Sequence, residues 1–373
     1  MSCKRQKISS GTFSNVFKTT HNGVHFAEKM YKEHKTGSGL AQDFLREITA
    51  LNILKTHKNI IKMSEITTEC SLLMKCAHRN LSEYITTTQS ESTYVSWFDQ
   101  LYDAIDFMHL RGVIHRDIKP SNILVYKQES CYQMVLADFG SSVVLYQKEQ
   151  SLEHDVCTYP FAAPELLKHE KYDANIDWWS LGVVISELYF QNPMFRGETE
   201  KDVLKQLFDD HTWNHKSVQK KLPFTKWSSL LNLDPSTRRP SSIANIYEIE
   251  GLNLQEQWIA AGFTLKHRNV TLEWLKDLFE EYKYDKFLFD ITVSLMDKCV
   301  AHVNLREGEI QAFACACMKI LTAVTDFKLV ADEDYEYLCD GACPIDLLHD
   351  LEKRVAIKMH ATFLSSKNID GSA

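Results

Sequence analysis

The eight residues His115-Arg116-Asp117-Ile118-Lys119-Pro120-Ser121-Asn122 constrain this chain more than any other stretch. They set a carboxylate, an ammonium and an amide into one short loop, bounded by the apolar runs Val113-Ile114 and Ile123-Leu124-Val125. That set suits phosphoryl transfer. An aspartate at Asp117 can accept the proton of an incoming hydroxyl, Lys119 can neutralise charge developing on the moving group, and Asn122 can hold a magnesium ion. A lone His-Arg-Asp triplet arises by chance in surface loops, but here three functional groups fall together at one spacing.

With 373 residues the chain has room for two to three domains and a core of ordinary size. Hydrophobic content of 44% and charged content of 25% are those of a soluble globular protein. No apolar run reaches the roughly 18 residues that a membrane span needs. The basic start has no apolar region behind it, so a secretory signal is not expected. A net charge of -8 argues against general nucleic-acid affinity. The ten cysteines are scattered through apolar patterns, which fits a reducing compartment and an intracellular, cytoplasmic or nuclear location. Cys339 and Cys343 lack the second ligand pair that a zinc site needs and read as ordinary thiols.

Upstream of the loop, residues 8 to 18 read as a strand, a tight turn around Gly11 and a second strand. Phe26-Ala27-Glu28-Lys29-Met30 follows, then a helix with Phe44, Ile48, Leu51 and Leu54 at helical spacing that carries Glu47. Ser71 to Ala77 reads as an apolar strand running into an extended connection. A helical stretch from Trp97 to Leu110 precedes the loop, and Met134-Val135-Leu136-Ala137 leads into Asp138-Phe139-Gly140, 21 residues beyond Asp117. Further on lie Val156 to Glu165, ending in Ala-Pro-Glu, the buried-looking helix beginning Asp177-Trp178-Trp179, and Leu233 to Pro240.

Taken in order, these motifs make residues 4 to about 248 resemble a eukaryotic-type protein kinase. Phe44-Leu45-Arg46-Glu47-Ile48 and the text around the loop resemble the cyclin-dependent kinases in particular. The resemblance implies an α+β bilobal fold, with a small β-rich N-lobe over about 1-75 and a helical C-lobe over about 78-250. It implies ATP and Mg2+ bound between the lobes, with Lys29 and Glu47 as the pair that sets the phosphates and Asn122 and Asp138 as metal ligands. Asp117, Lys119 and Thr158 carry the transfer in this reading. Ile8, Ser9, Gly11, Ser14, Val16, Ala27, Met74, Lys75, Cys76 and Leu124 surround the nucleotide; Ser9 and Ser14 stand where the family has glycine. The glutamate of Ala-Pro-Glu pairs with an arginine in the family, and both Arg238 and Arg239 are candidates.

Departures from the family carry their own expectations. Position 153, where the subgroup has an activating phosphothreonine, is glutamate. Arg46 and Arg116 match two of the family's three phosphate-binding arginines, and Val143 replaces the third. Glu153 is therefore expected to stand in for phosphate, with less charge facing a smaller arginine cluster. Phe13 replaces an inhibitory tyrosine, while Thr12 remains open to phosphorylation. Ala162 replaces an arginine that shapes the pocket for substrate proline, so strong proline selection is not expected.

About 120 residues remain, reading as five helices: Arg268 to Tyr282, Phe287 to Val300, Arg306 to Val324, Asp332 to Leu338 and Pro344 to Met359. The small side chains of the third point to a central position. Glu273 to Lys283 and Leu295-Met296-Asp297-Lys298 resemble parts of a cyclin box, so an all-α cyclin-like domain is expected over 267-373 after a 251-266 linker whose composition fits a helix as well as a tether. Cyclins grip the kinase helix with a lysine and a glutamate. Glu352 matches the glutamate, but the lysine position falls on Ala323, leaving half the polar grip missing. Trp274 remains of the substrate-docking groove, with His267 and Thr271 as its neighbours. Protein substrates and the attached cyclin-like domain are the expected partners, docking in cis or, if the linker is too short, in a swapped homodimer. The alternatives are a kinase-shaped scaffold with a helical docking module, and a kinase whose tail only oligomerises.

Overall fold

Stretches rich in β-branched and aromatic side chains open the chain and pair as strands. β1 (Gln6–Ser10), β2 (Ser14–His21) and β3 (Val24–Tyr31) form an antiparallel meander, with Gly23 at a φ of 79° turning the chain from β2 into β3. Helix α1 (Gln42–Ile53) follows, then β4 (Met63–Ile66) and β5 (Leu72–Lys75), which complete a five-stranded sheet in the order β1-β2-β3-β5-β4. The computed structural model describes residues 5–11, 14–21, 23–32, 39–129, 131–145, 152, 157–208, 221–239, 254–306, 308–325, 327, 330, 332–339, 341 and 343–362. Thr12, Phe13 and Glu153 lie outside them.

Beyond the sheet come β6 (Arg79–Asn80), α2 (Glu91–Leu110), β7 (Val113–Ile114), β8 (Ile123–Lys127), β9 (Tyr132–Leu136) and β10 (Val143–Val144). Then follow α3 (Pro164–Leu167), α4 (Asn175–Phe190), α5 (Glu200–Phe208) and α6 (Thr225–Ser229). Ser90 caps α2 by accepting the Thr93 N–H at 3.2 Å. Helix α4 is mostly apolar and buried from Asn175 to Leu188, as a helix at the centre of a unit must be, with Asp177 and Glu187 as its two carboxylates.

The C-terminal helices are α7 (Leu254–Ala260), α8 (Leu265–Glu281), α9 (Lys286–Cys299), α10 (Ile310–Thr325), α11 (Asp332–Leu338) and α12 (Ile345–Thr362). Five match the helices read from the sequence to within a few residues; the sixth, α7, occupies the stretch read as a linker. Trp258 of α7 is fully buried, and its indole N–H donates to Asp297 at 2.8 Å, so α7 is built into the helical module. Arg268 of α8 holds the same carboxylate in a bidentate pair at 2.8 Å on each arm. Helix α10 is central, packing against α9, α12 and α1, and its small residues Ala312, Ala314, Cys315 and Ala316 are fully buried. No described helix is long and apolar enough to cross a membrane.

These elements fall into two compact units. Met1–Ile53, Met63–Met74 and Ile246–Ala373 form one, joining the five-stranded sheet and α1 to the C-terminal helices, and Leu54–Lys62 with Lys75–Asn245 form the other.

Candidate active site

The loop after β7 is held from beneath by a residue that the sequence motifs left without a role. Asp177, at 0% exposure in the first turn of α4, accepts the backbone N–H of His115 and of Arg116, each at 2.9 Å, and the His109 ring at 2.8 Å. A carboxylate in so apolar a helix is costly to bury unless its oxygens are satisfied, and these three donors satisfy them. They also fix Arg116 at a φ of 67°, a backbone conformation that a non-glycine residue keeps only when its surroundings impose it.

Asp117 sits at the centre of a polar cluster. Its Oδ2 accepts from Lys119 Nζ at 2.7 Å and from Asn122 Nδ2 at 2.9 Å, and its Oδ1 accepts the Thr158 hydroxyl at 2.6 Å. Lys119 Nζ also donates to Thr158 Oγ at 2.8 Å, closing a ring of charge-assisted bonds that fixes the carboxylate in one orientation. Asn122 Nδ2 is committed to Asp117, bonding its backbone oxygen as well at 2.9 Å, so the amide's Oδ1 is the atom suited to a cation.

Asp138 is tied to this cluster through the main chain. The Ala137 N–H donates to the Asn122 carbonyl at 2.9 Å, and the His115 ring bonds the Ala137 carbonyl at 3.1 Å while packing on Phe139 at 4.7 Å between centroids. Asp138 itself lies in the left-handed region at φ 66° and ψ 70°. A carbonyl oxygen on Asn122 and a carboxylate on Asp138 are the hard oxygen donors that magnesium prefers, so the donor set fits that ion.

In the other unit, Lys29 of β3 forms an ion pair with Glu47 of α1, and the Tyr31 hydroxyl donates to the same carboxylate oxygen. Glu47 is fully buried and Lys29 nearly so. The β1-β2 turn closes through the Gly11 N–H to the Ser14 carbonyl at 2.9 Å, with Ser9 opposite Val16, Val16 opposite Lys29 and Ala27 opposite Lys18 across the strands. Ile8, before the turn, is exposed. Met74 is buried near the end of β5, and Cys76 follows it half-buried. The Lys75 carbonyl accepts the Tyr126 hydroxyl at 2.8 Å, and burial pushes that phenol up to about 12. Leu124 lies on β8, paired with Val135.

The arginine ambiguity resolves at Arg238. Its guanidinium takes both oxygens of Glu165, at 2.5 and 2.8 Å, in a fully buried fork. Arg239 instead pairs with Asp106 at 2.8 Å and lies over the rings of Tyr102 and Trp178.

Of the two arginines expected to face Glu153, Arg116 donates to the Ser141 carbonyl at 2.7 Å and to the Tyr172 hydroxyl at 3.3 Å. Arg46 turns its Nε to the Ala323 carbonyl of α10 at 3.0 Å.

Next to α1, Lys319 of α10 lies 3.1 Å from Glu352 of α12, an ion pair inside the helical module. Lys319 and Ala323 are one helical turn apart on the same face of α10. Ala323 contributes its backbone oxygen to Arg46. Just before α1, the Gly39 N–H donates to His349 Nε2 at 2.8 Å, and the Leu40 N–H points to Glu352 Oε2 at 3.4 Å. A side chain at Gly39 would meet Glu352 Oε2 at 1.9 Å, so glycine permits this approach.

Residues 3–302 match the protein kinase domain family, and residues 250–360 match the cyclin N-terminal domain. The chain is 33% identical over 219 residues to cyclin-dependent kinase 2 of Caenorhabditis elegans, a match covering 56% of this chain and 58% of that protein. It is 30% identical over 223 residues to the cyclin-dependent kinase 4 homolog of the same organism, covering 54% and 53%. It is 35% identical over 214 residues to the MAPK/MAK/MRK overlapping kinase of Mus musculus, covering 54% and 50%. The chain thus spans about half the length of these curated relatives.

Proposed function

The chain belongs to the protein kinase family, on its cyclin-dependent branch, with a cyclin domain in its C-terminal part, and from that premise we propose that it is an ATP-dependent serine/threonine kinase activated in cis by that domain. The observation that carries the reading is the ring formed by Asp117, Lys119, Thr158 and Asn122. In it Asp117 orients the hydroxyl of a serine or threonine and takes its proton, and Thr158 and Lys119 hold Asp117 in place. Lys119 also offsets the charge gathering on the transferred group. Lys29, aligned by Glu47, positions the α- and β-phosphates of ATP. Magnesium, when bound, neutralises phosphate charge; Asn122 Oδ1 and the Asp138 carboxylate would hold it.

Activation in cis is supported by the bonds that α10 and α12 make to α1 and to the residues just before it. Joining both modules in one chain raises their effective concentration to about the millimolar range, so a modest contact suffices. The two family matches overlap over residues 250–302; we place the boundary near 250, with α7 to α9 in the cyclin-like part. Glu153 takes the role of the activating phosphate in this proposal, and the enzyme works inside the cell on protein substrates. The test is transfer of label from γ-labelled ATP to a serine/threonine peptide array by full-length protein made in bacteria. Transfer by the wild type and none by Asp117→Asn supports the reading; equal labelling by both refutes it.

A further inference from the structure

Tyr31 ends β3 two residues beyond Lys29. Side chains two apart on a strand share a face, so Lys29 and Tyr31 both project toward α1. Three contacts follow. The Tyr31 hydroxyl donates to Glu47 Oε2, the oxygen that also takes Lys29. The Tyr31 ring meets Phe44 edge-on at 5.2 Å between centroids, and Phe44 precedes Glu47 by three residues on the same face of α1. Lys29 Nζ lies 5.3 Å from the centre of the Tyr31 ring.

Tyr31 therefore touches α1 at two points one turn apart and touches the lysine that α1 must align. The Lys29-Glu47 pair alone leaves the position of α1 dependent on an amine that the nucleotide phosphates also attract. A neutral hydroxyl on the same carboxylate is not drawn away by phosphate. It keeps Glu47 anchored to β3 while Lys29 engages its other partner.

We infer that Tyr31 is a positioning residue for phosphoryl transfer, acting through Glu47 to hold α1 and Lys29 in register; the inference rests on the kinase reading above. Full-length Tyr31→Phe, Glu47→Ala and the double variant test it by steady-state kinetics with ATP and a peptide chosen from the array. Tyr31→Phe keeps the ring on Phe44 and removes only the donor. It is expected to lower kcat about tenfold, the ratio typical of one hydrogen bond to a charged group, to raise KM for ATP, and to leave KM for the peptide unchanged. A fold defect would lower the active fraction without moving KM for ATP. Because the effect runs through Glu47, the double variant is expected to be no worse than Glu47→Ala alone. Amide exchange across 42–53 is expected to rise in Tyr31→Phe at an unchanged melting temperature. With an active wild type, unchanged kcat and KM for ATP in Tyr31→Phe, or additive losses in the double variant, overturn this inference alone. An inactive wild type overturns the kinase reading and this inference with it.

Discussion

Replacing Lys319 by methionine tests the ion pair inside the helical module that backs its contact with α1. The ammonium and Glu352 lie 3.1 Å apart, with side-chain exposures of 10% and 0%. At an effective dielectric of about 20 their attraction is about 5 kcal/mol, most of it offset by the cost of taking both charges out of water. The intact pair thus contributes little net stability. Lys319→Met removes the attraction and leaves the Glu352 carboxylate buried, which costs about 3–5 kcal/mol. Adding Glu352→Leu removes the stranded charge and is expected to return most of that stability. It does not return the acceptor near the Leu40 N–H, so peptide phosphorylation stays below wild type although the module folds. Urea denaturation followed by tryptophan fluorescence reads the first quantity, and labelled-phosphate transfer reads the second. A loss below about 1 kcal/mol in the single variant, or a double variant no more stable than the single, refutes the reasoning.

Other outcomes follow from single sites. Burial raises the Glu187 carboxyl to about 7, with the Met194 N–H pulling the other way. The folded protein then holds a proton that the unfolded chain releases, so this site's contribution to stability falls as pH rises from the ordinary carboxylate range to about 7. Glu187→Gln is expected to stabilise by up to about 3 kcal/mol at pH 8 and to be neutral near pH 4, as read by denaturation at both pH values. A gain equal at the two pH values contradicts that assignment. Arg238→Met strands Glu165 and is expected to cost about 3–5 kcal/mol, against about 1 kcal/mol for Arg239→Met at its half-exposed pair; the reverse ranking in thermal unfolding undoes the Glu165 assignment. Glu153→Ala is expected to lower the activity of bacterially made protein several-fold, and full activity in that variant removes Glu153 as the phosphate's substitute.

The site was legible in the sequence wherever its chemistry is packed into consecutive residues. Asp117, Lys119 and Asn122 are spaced within one loop, and Asp138-Phe139-Gly140 announces itself after an apolar strand. Groups that meet only through the fold were harder to read. Arg238 and Arg239 are neighbours, and only the direction of each side chain separates the buried fork from the pair at Asp106. Lys319 and Glu352 lie 33 positions apart on two helices, and only the packing of α10 on α12 brings them together. Asp177 and Tyr31 left signals that periodicity could have found: a carboxylate in the first turn of a mostly apolar helix, and a tyrosine on the same strand face as Lys29. Helix α7 lay in a stretch too short for periodicity to separate a helix from a tether, and burial of Trp258 decides it.

The central claim is that one chain is both kinase and activator. The direct test is the specific activity of purified full-length protein with ATP and Mg2+, without added cyclin, measured across serial dilution. Activity that persists and stays constant per molecule on dilution is the predicted result. Activity that appears only on adding a separate cyclin, or that falls with dilution as a two-chain complex dissociates, contradicts it.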